Sequence, residues 1–365
     1  HRVLLDSDNI ATDIVKSYRN CANQYLESDP MSALHNWPVY GHDWAVEHLR
    51  RGLRHGRVRH AYLITGPEAI GKEALARAFM MALNCTHADA DWHPCGECRS
   101  CRLIGSGNHA DVIYAEHDAN TGALKIEEVR TVCQKLALKP FESSYRIALF
   151  RDFDKARGPA QDALLKTLEE PPPQALLILL APSVESLLPT IVSRSQVINL
   201  RPVALETVYG TLIQHKGVSS DQAELLAGLS SGRLGWALRV VDDPGLLEQR
   251  EAGLGLLEQV VGMSRARRFE VAEDLAKDKL AIYPLVELWQ SYWRDVVLLA
   301  TGSPVPIANQ DRRLSLEQLA RELTPEEAIS ALEATCSARD QLALNLNLRL
   351  ALEVLFLQYP GLRKA

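Results

Sequence analysis

No run of apolar residues in this 365-residue chain approaches the 18 or so that a membrane span needs, and no secretory signal is visible. A cytoplasmic protein with no membrane partner is therefore expected. A basic surplus is also missing: the formal net charge is -6 and the sequence pI is near 6.0. That argues against a surface coating nucleic acid by bulk electrostatics, so any DNA contact must come from a local patch or through partners. Cysteine is sparse at seven residues, and Cys21, Cys133 and Cys336 stand alone, which reads as buried or inert thiols. What remains, 47% apolar and 24% charged residues, is ordinary for a globular protein with room for two or three domains.

The chain begins with His1 rather than Met. Residues 1–30 carry no motif, so they are expected to be an extension of unknown role, with Met31 as a natural start and Asp8 to Leu26 as a short helix.

The most organised stretch is 146–202. Arg146 to Phe150 is an apolar run and Ala175 to Ala181 is a second, with a helix-period segment between them that Pro171, Pro172 and Pro173 close. Near-continuous apolar strands alternating with helices predict a parallel sheet covered on both faces. Ala61 to Thr65, Asp111 to Ala115 and a run from 196 bring the strand number to about five, and Ile126 to Leu138 has helical spacing. In open sheets of this kind ligands sit beyond the carboxyl ends of the strands, which directs attention to the loops after Phe150 and Ala181.

After the strand ending at Thr65 the chain reads GPEAIGK, Gly66 to Lys72, ahead of a helix rich in Ala and Leu. This is phosphate-loop spacing: backbone N–H groups at a helix N-terminus cradle phosphates, and Lys72 reaches the terminal ones. The next residue should be Ser or Thr, to hold magnesium. It is Glu73, a carboxylate that would repel phosphates, so binding of ATP and magnesium by this chain is doubtful; a tight strand-to-helix turn is the bland alternative.

Cys85, Cys95, Cys98 and Cys101 lie in a window of seventeen residues. In a reducing compartment such spacing argues for thiolate ligation of a closed, structural zinc, with sulfurs about 2.3 Å from the metal. His87 and His93 are alternative ligands. Arg50, Arg51, Arg54, Arg57 and Arg59 form the most basic window, read as a solvated helix end rather than a phosphate-tracking patch.

AQDALLKTLEEPPP (160–173) followed by LPTIVSRS (188–195) resembles the AAA+ core of bacterial DNA polymerase III clamp-loader subunits, the delta-prime subunits above all, with gamma/tau as near relatives. The resemblance implies an α/β AAA+ P-loop domain at 31–202 with a parallel sheet and an inserted zinc module at 85–101. A small three-helix lid at 203–242 and an all-α collar that holds subunits together at 243–365 would follow. It implies all four cysteines as zinc ligands. It also implies Asp-Glu after the strand ending at Phe150, where this chain has Arg151 and Asp152; with Glu73, that makes two departures at one magnesium ion, and intrinsic ATP hydrolysis is not expected.

Ser193, Arg194 and Ser195 stand where the family has Ser-Arg-Cys, which makes Arg194 an arginine finger acting in trans on a neighbour's nucleotide. Its bland alternative is pairing with a carboxylate of its own domain. A nucleotide-sensing arginine in a G-x-x-R pattern would fall at Gly235, with Arg233 nearby but offset. The implied partners are gamma/tau and delta subunits, and through them a sliding clamp and primer-template DNA. An active gamma/tau-like ATPase, or a stand-alone P-loop kinase or regulatory zinc protein, are the alternatives; Glu73 and Arg151 oppose the first, and the SRS motif with a collar has no purpose in the second.

Thr324-Pro325-Glu326-Glu327 is a capping box that should start a long helix. Leu342, Leu344, Leu346, Leu348, Leu350 and Leu352 alternate as a strand would, but both flanks favour helix and the resemblance makes the segment a collar helix.

Overall fold

The computed structural model describes residues 37–89, 92–119, 121–277, 279–343 and 347–361. The expectations placed on residues 1–30, Met31, Cys21, Leu344 and Leu346 lie outside them. The chain divides into two compact units, one running through Gly217 and including Gly232–Trp236, the other made of Val218–Ser231 and the chain from Ala237 onward. The segment expected as a lid thus contributes to both. Among the described residues no helix is long and apolar enough to cross a membrane.

The first unit is a five-stranded, all-parallel sheet in the order β2-β3-β4-β1-β5, built from β1 (Ala61–Thr65), β2 (Val112–Tyr114), β3 (Arg146–Phe150), β4 (Ala175–Ala181) and β5 (Gln196–Asn199). Its helices are α1 (Asp43–Arg54), α2 (Lys72–Asn84), α3 (Arg99–Gly105), α4 (Ile126–Leu136), α5 (Gly158–Glu169), α6 (Pro189–Arg194) and α7 (Leu205–Thr211). Every residue of β1 and β4 is buried, as a sheet covered on both faces requires. Side chains alternate between two cores. Tyr62, Ile64, Ile147, Leu149, Ile178 and Leu180 face α1 and α2, whereas Leu63, Ala148, Phe150, Leu177 and Leu179 face α4, α5 and α6.

Helix α4 stops at Leu136, two residues short of the expected end, because Pro140 disfavours helix before it; Leu138 is left exposed. Asp111, expected as a strand residue, lies just outside β2 and is fully buried. Its carboxylate accepts from the backbone N–H groups of Phe141 (2.6 Å), Glu142 (2.9 Å) and Ser143 (3.0 Å) and from Arg146 (3.0 Å). This ties the chain entering β3 to the start of β2.

The second unit is helical: α8 (Ser220–Ser230), the later part of α9 (Leu234–Asp242), α10 (Gly245–Gly262), α11 (Arg265–Leu275), α12 (Lys279–Ala300), α13 (Arg313–Glu322), α14 (Pro325–Ala343) and α15 (Leu348–Gln358). Its core is aromatic, with Trp289, Tyr292, Trp293, Phe356 and Tyr359 buried together. The capping box forms as expected: Thr324 N donates to Glu327 Oε2 (2.9 Å) and Glu327 N to Thr324 Oγ1 (3.2 Å). Buried Arg268 donates to the carbonyls of Val261, Met263, Phe356, Tyr359 and Pro360, gathering the negative ends of α10 and α15 around one guanidinium.

The alternating leucines do not form one continuous helix. Helix α14 ends at Ala343, and Asn347 caps a new helix by accepting from Leu350 N (3.2 Å), so the alternation straddles a break. Within α15, Leu352 is buried and Leu350 exposed, which is ordinary helical sidedness.

Candidate functional sites: a phosphate loop without its metal ligands, a four-cysteine cluster and an exposed arginine

The phosphate loop is formed and its polar groups are engaged by protein. Gly66 has φ +146°, and a Cβ there would stand 2.6 Å from the Leu200 carbonyl oxygen; Gly71, at φ +114°, caps α2. Lys72 Nζ turns back onto the carbonyls of Gly66 (2.5 Å) and Pro67 (2.8 Å). The Ile70 carbonyl accepts from His42 Nε2 at 2.8 Å; burial lowers the pKa of this histidine and keeps it neutral. The Ala69 carbonyl accepts from Gly235 N at 2.9 Å, and a Cβ on Gly235 would lie 2.6 Å from that oxygen. Where a sensing arginine would stand, the close approach of two backbones therefore demands glycine. Arg233 instead lies over the Trp236 ring, 6.0 Å from its centroid.

The two departures from a magnesium site hold each other. Arg151 Nη2 donates to Glu73 Oε1 at 2.8 Å, and Arg77, one turn along α2, reaches the same oxygen at 2.8 Å. Burial pushes the Glu73 carboxyl up, but Arg151 and then Arg77 more than offset this and hold it below the usual carboxylate range. Arg151 also lies over the Tyr114 ring, 5.0 Å from its centroid. Asp152 sits in the left-handed region at φ +41° and pairs with Lys155 at 2.9 Å. A guanidinium fixed against Glu73 offers no ligand to a divalent cation, so these residues do not fit magnesium.

The cysteines do fit a metal. The four Sγ atoms of Cys85, Cys95, Cys98 and Cys101 lie within 4.8 Å of one another, and Cys85 Sγ is 3.9 Å from Cys98 Sγ. Tetrahedral zinc with sulfurs at about 2.3 Å gives edges of about 3.8 Å. Backbone N–H groups point at the sulfurs: Cys98 N to Cys95 (3.2 Å), Cys95 N to Cys85 (3.3 Å) and Cys101 N to Cys98 (3.4 Å). Against the opposing effect of burial, the N–H groups of Cys101 and Thr86 draw the Cys98 thiol down to about 5, whereas burial pushes Cys85 and Cys101 up. Sulfurs this close ionise together only around a cation. His87 and His93 are outside the cluster; His93 Nδ1 bonds Asp89 at 2.7 Å.

Arg194 is the last residue of α6. Its Nη1 donates to the Thr190 carbonyl at 3.1 Å and its Nη2 pairs with Glu169 at 3.0 Å, so the same-domain carboxylate is present; both side chains are exposed to solvent, by 38% and 54%. Ser195 Oγ is buried without a hydrogen-bond partner, the environment an apolar thiol would suit better. The basic window is not a solvated helix end throughout. Glu47 pairs with Arg50, Arg51 and Arg54, and Arg50 is buried.

Glu169, Arg77 and Tyr114 were not singled out in the sequence. The i, i+4 spacing of Glu73 and Arg77 is a local signal for one of them; the other two contacts join distant elements.

A family model described as DNA polymerase III, delta subunit, matches residues 41–204. The delta-prime subunit of Bacillus subtilis DNA polymerase III is 26% identical over 313 residues, 85% of this chain and 93% of that protein. That of Pseudomonas aeruginosa is 31% identical over 234 residues, 64% of this chain and 66% of its own length. Together the family model and these relatives support a clamp-loader-related delta-prime subunit of DNA polymerase III. Similarity within the family extends to the tau subunit of Bacillus subtilis, 30% identical over 209 residues, and this chain spans only 36% of that longer protein.

Proposed function

We propose that this chain is a stator of a bacterial clamp loader. In this role it hydrolyses no ATP, hands Arg194 to the nucleotide site of an adjoining gamma/tau subunit, and acts with gamma/tau and delta subunits in loading a sliding clamp onto primer-template DNA. The observation that carries this is the 2.8 Å ion pair between Glu73 and Arg151. In a working site of this class the residue after the lysine and the residue following the strand hold magnesium, which neutralises charge on the transferring phosphoryl group. Here those two positions are spent on each other.

Arg194 suits the other side of such a reaction. It projects from the end of a short helix, with partners weak enough to exchange for phosphate oxygens. Similarity to tau subunits favours a second reading, an active gamma/tau-like ATPase, and one assay separates the two. The purified chain is measured alone and then reconstituted with gamma/tau and delta subunits of the same source. Expected are no turnover alone, and complex turnover that falls about 10³-fold or more in Arg194→Ala. Magnesium-dependent turnover by the isolated chain, abolished by Lys72→Ala, would overturn the proposal.

The same reading gives the cysteines a structural zinc with no open coordination position, placed on α3 and the loop before it. Elemental analysis of the purified chain should return a single zinc, retained through dialysis and lost in Cys98→Ser. Iron instead of zinc, or no metal, would sink that assignment.

A further inference from the structure

We propose that Glu169 is a positioning residue that presents Arg194 to the neighbouring nucleotide; this rests on the reading of Arg194 as acting in trans. Helix α5 grips both ends of α6. Near the start of α5, buried Gln161 donates through Nε2 to the Ala156 carbonyl (2.9 Å) and accepts through Oε1 from Leu188 N (2.9 Å), the residue before α6 begins. Two turns later, at the end of α5, Glu169 meets Arg194 at the end of α6. Pro189 opens α6 and Ile191 is buried beneath it, so the helix has little freedom to rotate.

The finger is thus defined from both sides. Glu169 Oε1 takes Nη2 while the Thr190 carbonyl takes Nη1, which fixes the plane of the guanidinium rather than only its position. A flexible arginine would lose side-chain rotamer freedom on reaching the phosphates; one already oriented loses less. The pair is exposed, so its own contribution to stability is small and phosphate oxygens can displace the carboxylate. Glu169 therefore sets geometry without competing as a tight ligand would.

The test is steady-state ATP hydrolysis by the reconstituted complex carrying Glu169→Gln, Glu169→Ala, Glu169→Asp or Arg194→Ala in this chain. Glu169→Gln and Glu169→Ala should lower kcat about tenfold, within the ~10²-fold that misplacement of a reacting group by about 1 Å can cost, with KM for ATP unchanged. Glu169→Asp should recover most of the rate, and Glu169→Ala combined with Arg194→Ala should be no slower than Arg194→Ala alone. A normal kcat in Glu169→Gln beside a collapse in Arg194→Ala would overturn the role of Glu169 and leave the finger standing. A faster complex would also overturn it, by making Glu169 a restraint. No effect of Arg194→Ala would remove the underlying reading as well.

Discussion

On the proposed reading Arg151 and Arg194 both stand where the chemistry of a nucleotide would concern them, yet they are held differently. Arg151 bonds a carboxylate 78 positions away in the chain and lies over an aromatic ring, so the end of β3 is tied to the start of α2. Arg194 has a half-exposed carboxylate and a carbonyl of its own short helix. A guanidinium that bonds across elements far apart in the chain ties the fold together even where solvent screens the pair and Arg77 still holds its carboxylate. One paired with an exposed carboxylate of the preceding helix and a carbonyl of its own exchanges partners at little cost. Asp111 with Arg146 marks the limit of the first kind: the carboxylate is fully buried and the arginine largely so.

If burial sets this order, Asp111→Asn should cost most, about 3–5 kcal/mol in denaturant unfolding, because it leaves Arg146 without its charge partner. Burial pushes the Asp111 carboxyl up, but three backbone N–H groups and Arg146 outweigh it and hold it below the usual carboxylate range. With the folded pKa below the unfolded one, this stabilisation is complete above about pH 4 and is lost as pH falls through the folded value. The natural chain should therefore lose stability on acidification by a component that Asp111→Asn lacks. A cost under about 1 kcal/mol, near that of an exposed pair, would break the comparison at its strongest point.

Next comes the pair at the phosphate loop. Glu73→Ala, Arg151→Ala and the double variant form a cycle whose coupling should be about 1 kcal/mol, smaller in high salt, since both side chains are about 40% exposed and solvent screens them. Arg77 remains on Glu73 when Arg151 is removed, so the single loss should be less than that of a pair left wholly unmatched. Zero coupling would mean that the two departures are neighbours without being a tie.

The sheet was legible in the sequence because both of its signals are local. β1 and β4 are unbroken apolar runs, and the segment between Phe150 and Ala175 has helical spacing closed by prolines. The capping box was legible for the same reason, and so was the cysteine cluster, whose ligands fall within one short window. What could not be read is pairing across the fold. Glu73 and Arg151 each appear in the sequence as a lost magnesium ligand, and only the parallel order of the sheet, with β4 between β3 and β1, brings their ends together. Gly235 reads as a missing arginine, whereas its backbone touches the phosphate loop. The leucine alternation from 342 to 352 is rightly set aside in favour of helix, but its period of two runs from one helix to the next, a break that only Asn347 hints at.

The smallest expected effect on stability belongs to Arg194→Ala, at most about 0.5 kcal/mol by denaturant unfolding, since its carboxylate partner is exposed and remains hydrated when the arginine is gone. In the reconstituted complex the same substitution should have the largest effect of all on the neighbour's turnover. That inversion separates a residue kept for the fold from one kept for a partner. An interaction made only in an assembly contributes nothing to the isolated chain, whereas a tie such as Glu73 to Arg151 contributes whether or not a partner is present. If Arg194→Ala destabilised the isolated chain as much as Asp111→Asn, the exposed arginine would be one more structural tie, and its place at the end of α6 would need no partner to explain it.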